Sequence, residues 1–107
     1  MKNETKLKKV QKFLEENGIK YHLPRHRGEW GHSDLCILQL SIFVKLDGED
    51  NDVFYERHHR GNQFPVFVRD EDTPKFVLEK VQNTIIKSMT LEQKRLMNKK
   101  IKTILKT

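Results

Sequence analysis

LCILQLSIFVKLDGEDNDVFYER, Leu35 to Arg57, is the stretch that decides the fold. In its first half Cys36, Leu38, Leu40, Ile42, Val44 and Leu46 recur at period two, while Leu35, Ile37 and Phe43 share the other face with Gln39, Ser41 and Lys45. Such alternation predicts one long strand with a fully buried face. Asp47 to Asp52 is turn chemistry, and VFYER, Val53 to Arg57, then predicts an antiparallel partner strand. The Asp/Asn content of the turn lacks EF-hand spacing and its closing Glu, which argues against a calcium loop.

Working outward, FPVFVR from Phe64 to Arg69 predicts a last strand, with Pro65 marking a sheet edge. Upstream, Ile19, Tyr21 and Leu23 alternate with Lys20 and His22, a short strand ended by Pro24. A first helix carries Leu7, Val10, Phe13 and Leu14 at helical spacing and stops at Gly18. A second follows Asp72 or Thr73 as N-cap with Pro74 at its first position, and buries Val77, Leu78, Val81, Ile85 and Met89. Thr90 and Gln93 form a capping box that opens a third, with Leu91, Met97, Ile101, Ile104 and Leu105 inward. The expected class is α+β: an N-terminal helix, a three- to four-stranded antiparallel meander and two C-terminal helices, in the order α-β-β-β-β-α-α. Residues 1–107 read as one domain, with 90–107 a basic C-terminal helix.

Charged residues make up 34% of the 107 and the net charge is +6, so nucleic acid is the first partner expected, ahead of an anionic membrane surface or an acidic protein, and no membrane partner is retained. No apolar run is long enough for a signal peptide or a span, and an intracellular, cytoplasmic protein is expected. Cys36 is the sole cysteine, which rules out an internal disulfide and any cysteine-based zinc site. His22, His26, His32, His58 and His59 show no metal-ligand spacing, so no metal and no cofactor is expected.

Two clusters stand out: PRHRGEWGHSDLC, Pro24 to Cys36, and YERHHRGN, Tyr55 to Asn62. Guanidinium forks and glycine backbone suit anion capture. Arg25, Arg27, Arg57, His58 and Arg60, beside His26, would form a phosphate-contacting rim if the clusters meet, with Trp30 or Tyr21 as a stacking face. Lys94, Arg95, Lys99, Lys100, Lys102 and Lys106, against Glu92 alone, make the last helix the most basic element and a source of phosphate contacts. Charged turns also serve solubility alone.

Two nuclease templates can be set against these residues. A helix, NGI, a strand, the loop Gly31-His32-Ser33, further strands and a helix resemble in order the small HicA-type toxins. Their double-stranded-RNA-binding-like fold carries one catalytic histidine and cleaves RNA. That resemblance implies His32 as a metal-independent general acid/base. The PD-(D/E)XK nuclease core needs an Asp on one strand and E-x-K on the next, two carboxylates for the metal and a lysine for the water. Asp34 opens the long strand, but Glu56 is followed by Arg57 and His58, so the lysine is missing from that reading. The expectation is therefore a basic nucleic-acid-binding protein without catalysis, of the sort carried by bacteria or their mobile elements. The alternatives are a HicA-like ribonuclease using His32, and a homodimeric or partner-binding module packed through the apolar stripe of the last helix.

Overall fold

A computed structural model describes residues 3–26, 28–48, 50–59 and 61–105, with side chains over 5–101 of these. Its elements are α1 (Asn3–Glu16), β1 (Leu35–Ile37), β2 (Ile42–Leu46), α2 (Asn51–His58), β3 (Phe64–Val68), α3 (Pro74–Ser88) and α4 (Leu91–Leu105). The class is α+β, with four helices and a three-stranded mixed sheet in the order β1-β2-β3.

The antiparallel meander needs correction at two points, both within Leu35–Arg57. First, the long strand is a hairpin. Leu38–Leu40 turn as a short 3₁₀ helix, and Ser41 takes a left-handed conformation with φ of 54°. β1 then pairs antiparallel with β2, Leu35 opposite Val44 and Ile37 opposite Ile42. This four-residue reversal resets the pleat. Leu35 and Ile37 join Ile42 and Val44 in one core, while Cys36 and Phe43 enter another. A straight strand would have put Cys36 with Ile42 and Val44.

Second, the expected partner strand over 53–57 is part of α2. As a helix it buries Phe54 and His58, one turn apart, whereas a strand would have placed Phe54 and Glu56 on one face. α2 carries the chain across, and β3 pairs parallel to β2, from Ile42 opposite Phe64 to Leu46 opposite Val68. Parallel neighbours require a crossover of about this length, usually helical. The segment expected as a strand around Tyr21 contributes one antiparallel bridge, His22 to Cys36.

The sheet is covered on both faces. α1 and α3 pack with α4 over the larger core, which includes Leu7, Val10, Phe13, Leu14, Val77, Val81, Ile85, Met97 and Ile101. α2 and the turn at Trp30 cover the other face through Cys36, Phe43, Phe54 and Phe67. The helix signals are realised: Thr73 Oγ1 accepts the Phe76 N–H at 3.2 Å, and the Gln93 side chain accepts the Thr90 N–H at 3.1 Å. Pro65 does lie on an edge strand. The Phe64 N–H reaches Ser41 O, and Val68 O receives the Asp47 N–H, so the odd-numbered residues of β3 turn their backbone to the free edge. That edge is blunted. Pro65 has no N–H, Phe67 O takes Lys80 Nζ at 3.1 Å, the Arg69 N–H goes to Asp72 Oδ2 at 2.9 Å, and Arg69 O takes Lys6 Nζ at 2.8 Å.

Met97 and Ile101 decide that α4 docks on its own chain, whereas Leu91, expected inward, stands at the start of the helix 76% exposed. Met97→Ala should lower the unfolding free energy by about 2–3 kcal/mol in urea titrations, as expected for a truncated core side chain. An unchanged midpoint would mean that α4 contributes nothing to the folded core.

Candidate functional site

The two Arg/His clusters meet, on the α2 side of the sheet. The turn Glu29–His32 runs left-handed through Trp30, Gly31 and His32, with φ of 57°, 63° and 69°. Non-glycine residues in that region cost about 1 kcal/mol or more each, so tertiary contacts must hold the turn. His58 supplies one. It is buried, with Nε2 3.3 Å from Trp30 O and 3.4 Å from Ser33 Oγ, Nδ1 3.0 Å from Gln63 Oε1, and its ring stacked on Phe43 at 3.9 Å. Gly31 makes that approach possible, because a Cβ there would lie 2.5 Å from His58 Nε2. His58 thus ties the clusters together from inside, with no face left open to a phosphate.

His32 is held by a second contact. Its Nδ1 lies 3.1 Å from Asp50 Oδ2, and since an ionised carboxylate only accepts, Nδ1 carries the proton and Nε2 is the nitrogen left for other work. Asp50 in turn accepts from Lys45 Nζ through Oδ1 at 2.8 Å. Lys45 is buried in β2, donates to Leu46 O at 2.6 Å, and lies 3.5 Å from Asp34 Oδ2, which also accepts the Leu46 N–H at 2.7 Å. The bond from Lys45 holds the Asp50 carboxyl down at about 2; burial opposes this, and the His32 bond assists it. Burial, chiefly, lifts the Cys36 thiol to about 11, which makes it inert packing.

This geometry corrects the comparison with PD-(D/E)XK nucleases. A lysine, Lys45, does lie on the strand paired with the one that Asp34 precedes, but E-x-K is absent there as well. What the E-x-K position lacks is the carboxylate, for Phe43 stands two residues before Lys45. The lysine ammonium itself sits between the carboxylates of Asp34 and Asp50. Among the described residues no three His, Cys, Asp or Glu side chains gather in a way that could hold a metal ion. The parallel β3 and its crossover helix also depart from the all-antiparallel strands of the HicA-type comparison.

The remaining candidates fall into two groups. Arg25 and Arg57 are exposed near the strained turn, and Arg57 Cβ would lie 3.4 Å from a Cβ at Gly31. Trp30 is half-buried, its ring 5.1 Å from that of His22 and its indole N–H without a partner. Arg95, Lys99 and Lys100 are exposed and Lys94 is half-buried on α4, across the sheet from α2. Arg27, Arg60 and Lys106 lie outside the described residues, as does the side chain of Lys102. Tyr21 is half-buried; Tyr55 is the more exposed aromatic, stacked on His59 at 5.3 Å. Sequence reasoning missed Lys45 and Asp50. In the alternation Lys45 looked like a solvent-side residue, and Asp50 looked like turn chemistry.

No protein-family model, curated protein or solved structure matches this chain.

Because the Asp50 carboxyl titrates below its unfolded value of 3.8, its contribution to stability is present above that pH and is lost as pH falls towards about 2. Asp50→Asn should therefore cost about 2 kcal/mol at pH 7, with the gap to wild type closing below about pH 3 in acid-dependent urea titrations. A pH-independent gap would remove the Lys45 contact as its source. Gly31→Ala should cost about 2 kcal/mol or more from φ and the His58 clash together, and His58→Ala in the same chain should relieve part of it.

Proposed function

We propose that this chain is a small nucleic-acid-binding protein of the cell interior that acts without catalysis, engaging phosphates through the outward face of α4. The observation that carries this reading is the docking of α4 through Met97 and Ile101, which turns Arg95, Lys99 and Lys100 to solvent on a chain of net charge +6. α1 packs against α3 on the same side and adds exposed Lys8, Lys9 and Lys12. Against metal-dependent hydrolysis stands Lys45, whose ammonium occupies the space between the carboxylates of Asp34 and Asp50. Arg25 and Arg57 lie across the sheet and would orient a strand only where it passes around the molecule. No helix among the described residues is long and apolar enough to cross a membrane.

Fluorescence anisotropy with labelled single- and double-stranded DNA and RNA tests this. Arg95→Glu with Lys100→Glu should weaken binding at least tenfold at low salt, uniformly across sequences, and flatten the salt slope by about two. No binding at low salt to any of the four probes would end the proposal.

One observation favours a second reading, the His32 imidazole oriented by Asp50. In a metal-independent ribonuclease, His32 Nε2 would take the 2′-hydroxyl proton while Asp50 stabilises the imidazolium. Wild type should then cut RNA in the presence of chelator, and His32→Ala and Asp50→Asn should each lose at least a hundredfold of that rate. Equal product patterns for all three proteins would remove His32 from any catalytic role.

A further inference from the structure

We infer that the carboxyl ends of the parallel strands β2 and β3 form a binding site for a small zwitterion, a free α-amino acid with an aromatic or apolar side chain. In sheets with helical crossovers, ligands sit in the crevice beyond the carboxyl ends of parallel strands. Among the described residues β2, α2 and β3 make the one such unit, and a cavity of about 390 Å³ opens at that end. It is lined by Asp47, Asn51, Phe67, Val68, Arg69 and Glu71, and its volume lies at the small end of ligand sites. Charges of both signs face it without pairing. Among the described residues no carboxylate forms an ion pair with Arg69, and no cation forms one with Asp47 or Glu71. A ligand carboxylate completes the Arg69 fork, an ammonium faces Asp47 and Glu71, and the ligand's side chain meets the Phe67 ring. A simple anion or a simple cation would satisfy one sign and face the other.

The second observation is where the interior places its buried charge. Burying an ammonium or a carboxylate is costly, and the described residues bury three, on Lys6, Lys45 and Asp72. All three secure the two loops that rim the cavity. Lys45 holds Leu46 O at 2.6 Å and the Asp50 carboxylate at 2.8 Å. Lys6 holds the carbonyls of Arg69 and Asp70 at 2.8 and 2.9 Å, while Asp72 accepts the Arg69 N–H at 2.9 Å and Lys80 Nζ at 2.8 Å. The rims are also tied to each other, for the Asp47 N–H reaches Val68 O at 2.9 Å. Asn51 Nδ2 donates to Asp47 Oδ1 at 2.7 Å, which orients that carboxylate and leaves Oδ2 for a ligand. Phe54 braces the Phe67 ring edge-on at 5.2 Å. Blunting the β3 edge does not require the 47–50 loop to be held as well. Holding both rims fixes the backbone behind exposed Arg69 and Glu71, and such preorganisation lowers the cost of ordering a small ligand. The inference uses none of the cations of α4 and does not rest on nucleic-acid binding.

The test is a titration of the isotope-labelled full chain with L-phenylalanine to about 10 mM, read as amide shifts by NMR. Saturable shifts are expected over 47–51 and 67–71, with a Kd of about 1 mM or tighter. 3-Phenylpropionate lacks the ammonium and 2-phenylethylamine lacks the carboxylate, so each should bind about tenfold more weakly or worse. Arg69→Gln should cost about tenfold in affinity, Arg69→Lys should restore part of it, and Glu71→Gln should weaken binding several-fold. Both side chains are exposed, and unchanged spectra outside the two loops check that the variants fold. Absence of saturable shifts with phenylalanine, leucine and tryptophan alike overturns the proposal. Shifts that saturate elsewhere on the chain, or equal binding of either singly charged analogue, overturn it too. Anisotropy with RNA should be the same for Arg69→Gln and wild type, so the nucleic-acid reading and this one can fail separately.

Discussion

The ammonium of Lys45 is the constraint on which the α2 side of the molecule is built. A buried lysine is tolerable only if each of its donors finds oxygen, and here one carbonyl and two carboxylates surround it. Meeting that demand draws Asp34, at the entry to β1, towards Asp50, at the entry to α2. Asp50 then reaches His32 and so steadies a turn in which three successive residues are left-handed. One cation therefore registers the hairpin, the crossover helix and the strained turn against each other. Replacing it with an apolar residue of similar volume would leave Asp34 to the Leu46 N–H and Asp50 to His32, with no cation between the two carboxylates, whereas replacing all three groups together need not destabilise the fold.

A second network plays the corresponding part along the free edge of β3. Lys6 reaches from α1 to the carbonyls of Arg69 and Asp70, and Lys80 reaches from α3 to Asp72 and Phe67 O. Lys6 and Asp72 are buried, and together with Lys80 they occupy the backbone groups with which an edge strand would recruit a neighbour. The blunting of β3 removes that edge as a template for strand addition.

Much of the helical framework was legible in the sequence because its signals are local. Thr73-Pro74 and the Thr90/Gln93 box act within one turn, and Leu7, Val10, Phe13 and Leu14 need only a period. The hairpin was not legible, because Leu38–Ser41 contains no Gly, Pro or Asn to announce a turn, and its alternation continues through the reversal. VFYER was misread because β-branched and aromatic residues favour strands, and what overrode them was the pairing of buried Phe54 and His58 at helical spacing. Of the site, His32 and the two clusters were visible. Asp50 and Lys45 were not, since their roles arise only when the hairpin and the crossover bring 34, 45 and 50 together.

Charge is distributed as unevenly as packing. Asp47, Asp50, Asp52 and Glu56 gather between β2 and the end of α2, and Asp70, Glu71 and Asp72 follow β3, whereas Lys8, Lys9, Lys12, Arg95, Lys99 and Lys100 lie on helices of the other layer. The separation is partial, since exposed Glu15, Glu16 and Glu92 share those helices and exposed Arg25 and Arg57 lie on the α2 side, so the pull of either face on a polyanion is the net of both signs.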